Sequence, residues 1–272
     1  MLRLKIWYNM NNEVEMGKII SFINQKGGVG KTTSCINMSA YLAVFGKKVL
    51  LIDLDAQGNA SSGLGYDKEN KNKITMFDVI IEDKTIEEAI VPTKVENLYL
   101  VPADVDLSGA EVELVGMNNR EKIIRNILKK VKDNYDYICI DCPPSLGLIS
   151  VNALTASDSV IIPMECEFFA LEGLTQLMYT IKLVKKHLNE NVDVEGVILT
   201  KKDNRNNLGI SVANDLKNFF KDKVYETVIP RNVRLAEAPS FGEPIVLYDP
   251  KCSGAKAYKA LTEEFLRKNG ER

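Results

Sequence analysis

Three short segments hold residue types whose spacing suits a chain of phosphates and a divalent cation. The first is Lys26-Gly27-Gly28-Val29-Gly30-Lys31-Thr32-Thr33. Glycines let such a loop curl until successive backbone N–H groups point inward at phosphate oxygens, and a helix starting at the loop's end adds the partial positive charge of its N-terminus. In that arrangement Lys31 reaches the β- and γ-phosphates and the Thr32 hydroxyl ligates magnesium. The second segment, Val49 to Asn59, ends an apolar strand in Asp53 and Asp55, on the same side because alternate strand residues share a face. The third, Tyr137 to Pro144, delivers Asp141 at the C-terminal end of an apolar strand. Open parallel sheets bind ligands at that end, and a magnesium-bound water needs a carboxylate there. An aspartate at a strand end is by itself usually a cap or turn residue; the phosphate loop changes its meaning. Lys26 is an addition to the ordinary loop. A second lysine at the loop's start competes with Lys31 for its own γ-phosphate and is better placed to reach a neighbour's, although spacing alone says only that an extra charge is present.

The elements that must position these residues are short β-branched apolar runs alternating with longer helical patterns, the mark of β-α-β units. Strands are expected at Lys18 to Asn24, Lys48 to Asp53, Leu98 to Pro102, Tyr137 to Asp141, Ser159 to Pro163 and Gly196 to Thr200. Near-continuous apolar character implies that both faces of each are covered. Helices are expected at Lys31 to Phe45, Asn118 to Asp133, Leu171 to His187, Leu208 to Lys221 and Gly254 to Lys268. The fold class is therefore α/β: one domain, a mostly parallel twisted sheet with helices on both faces. No repeat or low-complexity linker divides the chain.

With 272 residues, 45% hydrophobic and 26% charged, the chain is long enough for a single large core. Its longest apolar stretches, such as Val49 to Ile52, are strand-length and far short of a bilayer span. Residues 1–15 mix charges with aromatics and lack the apolar core of a secretory signal, so they read as an extension. Met16 is an alternative start, and the domain proper is taken as residues 16–272. Five cysteines without such a signal argue for a reducing compartment, the cytoplasm. Cys139 and Cys142 form a C-x-x-C, but Cys139 sits in an apolar run where a small thiol packs well, and a zinc site needs two further ligands. The single histidine, His187, lies on a lysine-rich helix and disfavours Ser-His-Asp or Cys-His chemistry. Net charge is −2, so nucleic-acid contact must be local. Between Lys201 and Arg234 eight basic residues face four acidic ones, the one plausible patch.

The Lys26 arrangement resembles the deviant Walker A family, in which the signature lysine crosses a dimer interface and two nucleotides are sandwiched between subunits. Within it, NQKGGVGKTT, DLDAQGNASSGLG, YDYICIDCPPSLGLISVNALTASDSVIIP and TVIPRNVRLAEAPSFGEPI look like the chromosomal and plasmid partition ATPases called ParA or Soj. The likeness covers nearly all of Met16 to Gly270. It implies an ATP hydrolase with catalytic Lys26, Lys31 and Asp55, the last orienting the attacking water. It implies nucleotide contacts from Lys26, Gly27, Gly28, Val29, Gly30, Lys31, Thr32 and Thr33, with Pro230 and Asn232 at the adenine and ribose end. Magnesium would be held by Thr32 and, through water, by Asp141. Arg205 and Arg234 match the family's DNA-contacting arginines, whose guanidinium groups pair with phosphates without reading sequence. The implied partners are a second copy of the chain in an ATP-dependent homodimer, non-specific double-stranded DNA and a ParB-type centromere-binding protein, at the nucleoid.

Two segments depart from the family pattern. Lys201 and Lys202 follow Thr200 where relatives more often carry apolar residues, and Ala56 stands where many have proline. Three other readings share the nucleotide chemistry. A membrane-associated cell-division ATPase would end in a basic amphipathic helix, whereas Leu261 to Arg272 contains acids and reads as a last packed helix. An iron-sulfur reductase needs cluster cysteines that Cys142 beside Pro143 and Pro144 does not match, and a metabolic ligase needs a second substrate pocket.

Overall fold

Seven apolar runs form strands: β1 (Lys18–Phe22), β2 (Val49–Asp53), β3 (Val91–Pro92), β4 (Leu98–Val101), β5 (Tyr137–Asp141), β6 (Ser159–Glu165) and β7 (Asp193–Thr200). They make one sheet in the order β3-β4-β2-β5-β1-β6-β7. Every pairing is parallel except β3 with β4. This computed structural model describes residues 17–67, 73–165, 170–201 and 207–271. Residues 1–15, Cys166, Lys202 and Arg205 lie outside the described residues.

Strand alternation sorts the core into two layers. On one face Leu50, Ile52, Ile138, Ile140 and Ile162 pack with the helices Ile123–Leu128, Leu148–Ala156 and Ala170–His187. On the other, Phe22, Leu51, Cys139 and Ile161 meet the helices Lys31–Val44 and Ser253–Lys268. Cys139 and Cys142 belong to opposite layers, as odd spacing along an extended chain requires, so their thiols do not converge on one ligand. Burial pushes each thiol up to about 12, which keeps both protonated and unreactive at neutral pH.

Differences from the sequence expectation have identifiable physical causes. The single helix expected from Asn118 to Asp133 is broken into a 3-10 turn Arg120–Lys122, a helix Ile123–Leu128 and a second turn Lys132–Asn134. Asn119 adopts φ 53°, a left-handed conformation open to asparagine, and the Asn152 amide holds the break by accepting from Ile124 N at 3.2 Å and donating to Arg120 O at 2.7 Å. The helices Met76–Ile81, Leu107–Val115 and Leu148–Ala156 were not anticipated. The last is buried nearly all round and so shows no amphipathic period. β3 is two residues long and contains Pro92, tolerable because it is an edge strand.

The C-terminal helix Ser253–Lys268 buries Tyr258, Leu261 and Phe265 against the helix that follows the phosphate loop. Its apolar face is therefore occupied within the fold. No helix among the described residues is long and apolar enough to cross a membrane. The free edge of β7 is covered by the segment 224–229, whose Tyr225 N donates to Val197 O at 3.0 Å and Ile229 N to Leu199 O at 2.9 Å. Glu264 anchors that segment by accepting from Glu226 N at 2.8 Å and Thr227 N at 2.9 Å. A Cβ added at Gly196 would lie 2.3 Å from the buried Tyr225 ring. Gly196→Ala is expected to destabilise the fold by about 1–3 kcal/mol through overpacking, seen as a lower urea midpoint at unchanged slope; an unchanged midpoint would show that the ring can move aside.

Candidate nucleotide site

The phosphate loop leaves the C-terminal end of β1 and enters the helix Lys31–Val44, whose first turn contains no acidic residue and whose N-cap, Gly30, provides no side-chain acceptor. The N–H groups of that turn are thus left for an anion. Gly28 and Gly30 take φ values of 75° and 88°, which curl the loop and which other L-residues rarely adopt. Two side chains hold it, Asn24 just past β1 and Thr200 at the end of β7. Asn24 donates to Pro163 O at 2.8 Å and accepts from Lys26 N at 3.0 Å, and the Thr200 hydroxyl donates to Val29 O at 2.8 Å.

Lys31 is 6% exposed and turns back over the loop to donate to Lys26 O at 3.1 Å. Burial pulls its ammonium below the usual value, while the carboxylates of Asp141 and Asp55 oppose that pull. Phosphate oxygens in the loop would favour the charged form further. Gly27 and Gly28 face outward, and a Cβ built at either meets nothing within 4 Å.

The carboxylates do not have the simple arrangement expected of a strand. β2 ends at Asp53, and Asp55 lies in the turn beyond it, so the expectation that both are strand residues sharing a face is corrected. What orients Asp55 is Asp53, whose Oδ1 accepts from Asp55 N at 3.1 Å. Its Oδ2 accepts from Ser61 N at 2.8 Å and Ser61 Oγ at 2.7 Å, and Ser61 Oγ in turn accepts from Ala103 N at 3.0 Å. Asp53 is therefore a buried hub tying three loops together. Sequence reasoning missed that role; the one available signal was a second carboxylate two residues before Asp55.

Asp141 stands beside Asp53 in the register of β5 with β2, and both side chains are fully buried. Desolvation raises the Asp53 carboxyl to about 6; it raises that of Asp141 well above the ordinary range, with the Asp53 charge adding to the effect. Neither oxygen of Asp141 has a hydrogen-bond partner of ordinary geometry, although the Thr32 hydroxyl lies close enough to favour the ionised form. The two orphaned oxygens of Asp141 and the nearby Thr32 hydroxyl are hard oxygen donors of the kind a divalent cation such as magnesium takes.

Beside the loop opens a cavity of about 340 Å³ lined by Gly30, Thr33, Thr200, Pro230, Asn232 and Tyr258, among others. Pro230 and Asn232, expected at the base and ribose end, thus share one cavity with the phosphate loop. The Asn232 amide is engaged at both ends: Oδ1 caps the helix Val233–Glu237 by accepting from Arg234 N at 2.8 Å, and Nδ2 donates to Ser253 Oγ at 2.8 Å. Of the two expected DNA-contacting arginines, Arg234 is about half exposed and paired with Glu237 at 2.8 Å and Asp249 at 3.6 Å.

A family model described as an AAA domain matches residues 17–194. The chain is 57% identical over 249 residues to sporulation initiation inhibitor protein Soj of Bacillus subtilis (strain 168), covering 92% of this chain and 98% of that protein. It is 49% identical over 257 residues to chromosome-partitioning ATPase Soj of Treponema pallidum (strain Nichols), covering 94% of this chain and 100% of that one. Among solved structures it is similar to cobyrinic acid a,c-diamide synthase from Mycobacterium smegmatis with bound ADP and magnesium. That likeness has a TM-score of 0.82 and 33% identity, over 94% of this chain and 97% of the other.

Thr200 provides a direct test of how the loop is held. Thr200→Val keeps the side chain's shape and leaves the Val29 carbonyl unpaired, so nucleotide affinity is expected to fall about fivefold, the equivalent of ~1 kcal/mol. Calorimetric titration checks this; full affinity in the variant would mean that the loop is anchored elsewhere.

Proposed function

Because the chain belongs to the ParA/Soj family of P-loop partition ATPases, we propose that it works as an ATP-driven switch for moving DNA, with an ATP-sandwich homodimer as its DNA-binding state. The observation that carries this reading is the division of labour between two lysines. Lys31 is buried and committed to the inside of its own loop, whereas Lys26 stands at the loop's start beside outward-facing glycines that leave room for a second backbone. In the proposed dimer Lys26 of each copy reaches the phosphates of the other.

Hydrolysis in this reading is in-line attack of water on the γ-phosphorus, with the bond to the bridging oxygen breaking to leave ADP and phosphate. Asp55, carried on a turn hung from Asp53, orients and polarises the water. Lys31 and Lys26 neutralise charge spreading over the γ-phosphoryl oxygens. Bound magnesium would supply further neutralisation at Thr32 and Asp141. The cavity at Pro230 and Asn232 takes the adenine and ribose.

Non-specific DNA binding follows from arginine contacts to phosphates, Arg234 and Arg205 in this reading, doubled in number when two copies join. A ParB-type partner then accelerates hydrolysis and releases the dimer. Burial of the last helix's apolar face within the fold supports this reading over that of a lipid-binding relative.

The primary test is titration of DNA with ATP, ADP or no nucleotide at two salt concentrations; affinity that ignores nucleotide would end the switch reading. Asp55→Ala is expected to keep ATP affinity, lose at least about a hundredfold in turnover and accumulate on DNA. Rapid phosphate release by that variant would remove Asp55 from its role. Gly27→Val should bind ATP yet remain monomeric in light scattering, since a Cβ at this outward-facing position meets nothing within 4 Å in its own chain and is placed to obstruct a second one.

A further inference from the structure

The carboxylate of Glu165 stands where the nucleotide cavity meets the basic segments. Glu165 is the last residue of β6 and lies in register with Thr200, the last residue of β7, whose hydroxyl anchors the phosphate loop. Its side chain is only 11% exposed, and both its oxygens face cations: Oε2 lies 3.4 Å from Lys201 Nζ and Oε1 3.4 Å from Arg231 Nη2. Those two cations are 40% and 70% exposed in their side chains and also line the cavity. Lys201 adopts φ 51°, a left-handed conformation uncommon outside glycine and asparagine, so the backbone there turns sharply and projects a lysine over the cavity. Arg234, in the adjoining helix Val233–Glu237, is likewise held by acids, Glu237 and Asp249.

We propose that Glu165 is a positioning residue that holds Lys201 and Arg231 at the cavity rim and masks their charge, lowering the affinity of that rim for the phosphate backbone of DNA. The inference rests on the DNA-binding reading above and adds a site to it: two further phosphate-binding cations and the carboxylate that restrains them. Charge balance gives the reason. A carboxylate this enclosed needs counter-ions, and both of its partners are cations whose outer surfaces remain wet. The contacts are long for charged hydrogen bonds, so each cation can be drawn off by a phosphate at small cost. One acid thereby sets how much positive charge two adjacent segments present.

The test is a double-mutant cycle on the full chain, reading DNA affinity with ATP and with ADP over a range of salt. Glu165→Gln keeps the shape and removes the charge. It is expected to tighten DNA binding on the order of three- to tenfold. The log-log salt dependence should become steeper by about 1 to 2 as freed cations take up phosphates. In a Lys201→Met background the same change should have a clearly smaller effect, because one of the two masked cations is gone. Two results overturn the proposal: equal effects of Glu165→Gln in both backgrounds, which would mark a general field effect, or weaker DNA binding at an unchanged salt slope, which would mark a purely structural role. Wild-type protein that binds no DNA in any nucleotide state would instead defeat the DNA-binding reading itself and this proposal with it. An unchanged urea-unfolding midpoint in each variant shows that the fold is intact.

Discussion

The register of three parallel strands places Phe22, Asp53 and Asp141 side by side at the C-terminal ends of β1, β2 and β5. Two carboxyls are thereby buried next to each other, beneath a loop whose own lysine is also buried. Such a grouping is costly in isolation: desolvation disfavours every charge in it, and the two acids disfavour each other. The cost becomes intelligible when the site is regarded as one half of an ionic assembly, completed by polyphosphate and a divalent cation. Lys31 then gains phosphate partners and Asp141 gains the ligand interactions its oxygens lack.

The rest of the fold keeps that half-site in shape. Asn24 and Thr200 hold opposite sides of the phosphate loop, one through Pro163 on β6 and the other from the end of β7. Asp53 holds the turn bearing Asp55 and, through Ser61, the end of β4 at Ala103. A rearrangement at the phosphates can therefore be felt on both sides of the sheet without passing through its apolar core. The sheet and its two covering layers form the base that carries the hydrogen-bonded loops at one end.

Electrostatics divides the same way. A chain with net charge −2 has no overall field to attract a polyanion, so in the proposed DNA-binding reading the attraction would come from local clusters of cations. The described cations that line the cavity's edge, Lys201 and Arg231, both face the Glu165 carboxylate, and Arg234 in the adjoining helix is paired with Glu237. The balance between these pairs and incoming phosphate is the natural place for a nucleotide-dependent change to act, because the cavity and the rim share Lys201 and Arg231.

Much of this was legible in the residue order. Buried parallel strands read as unbroken apolar runs, so β5 was placed to the residue, and the glycines and Gly-Lys-Thr ending of the loop announce a phosphate cradle by their backbone requirements alone. Short or wholly buried helices such as Leu148–Ala156 were not legible, since they carry no polar face, and the break at Asn119 depends on Asn152, far along the chain. Sequence by itself determined which chemical groups are available, that Lys31 closes the phosphate loop at a helix start and that Asp141 ends a strand. Only the tertiary structure decided that Asp53, not Asp55, is the buried carboxylate of that segment, that Thr200 and Asn24 hold the loop, and that Glu165 faces Lys201 and Arg231. Those relations depend on strand register and side-chain burial, which set the distance between residues widely separated along the chain and which no local pattern encodes.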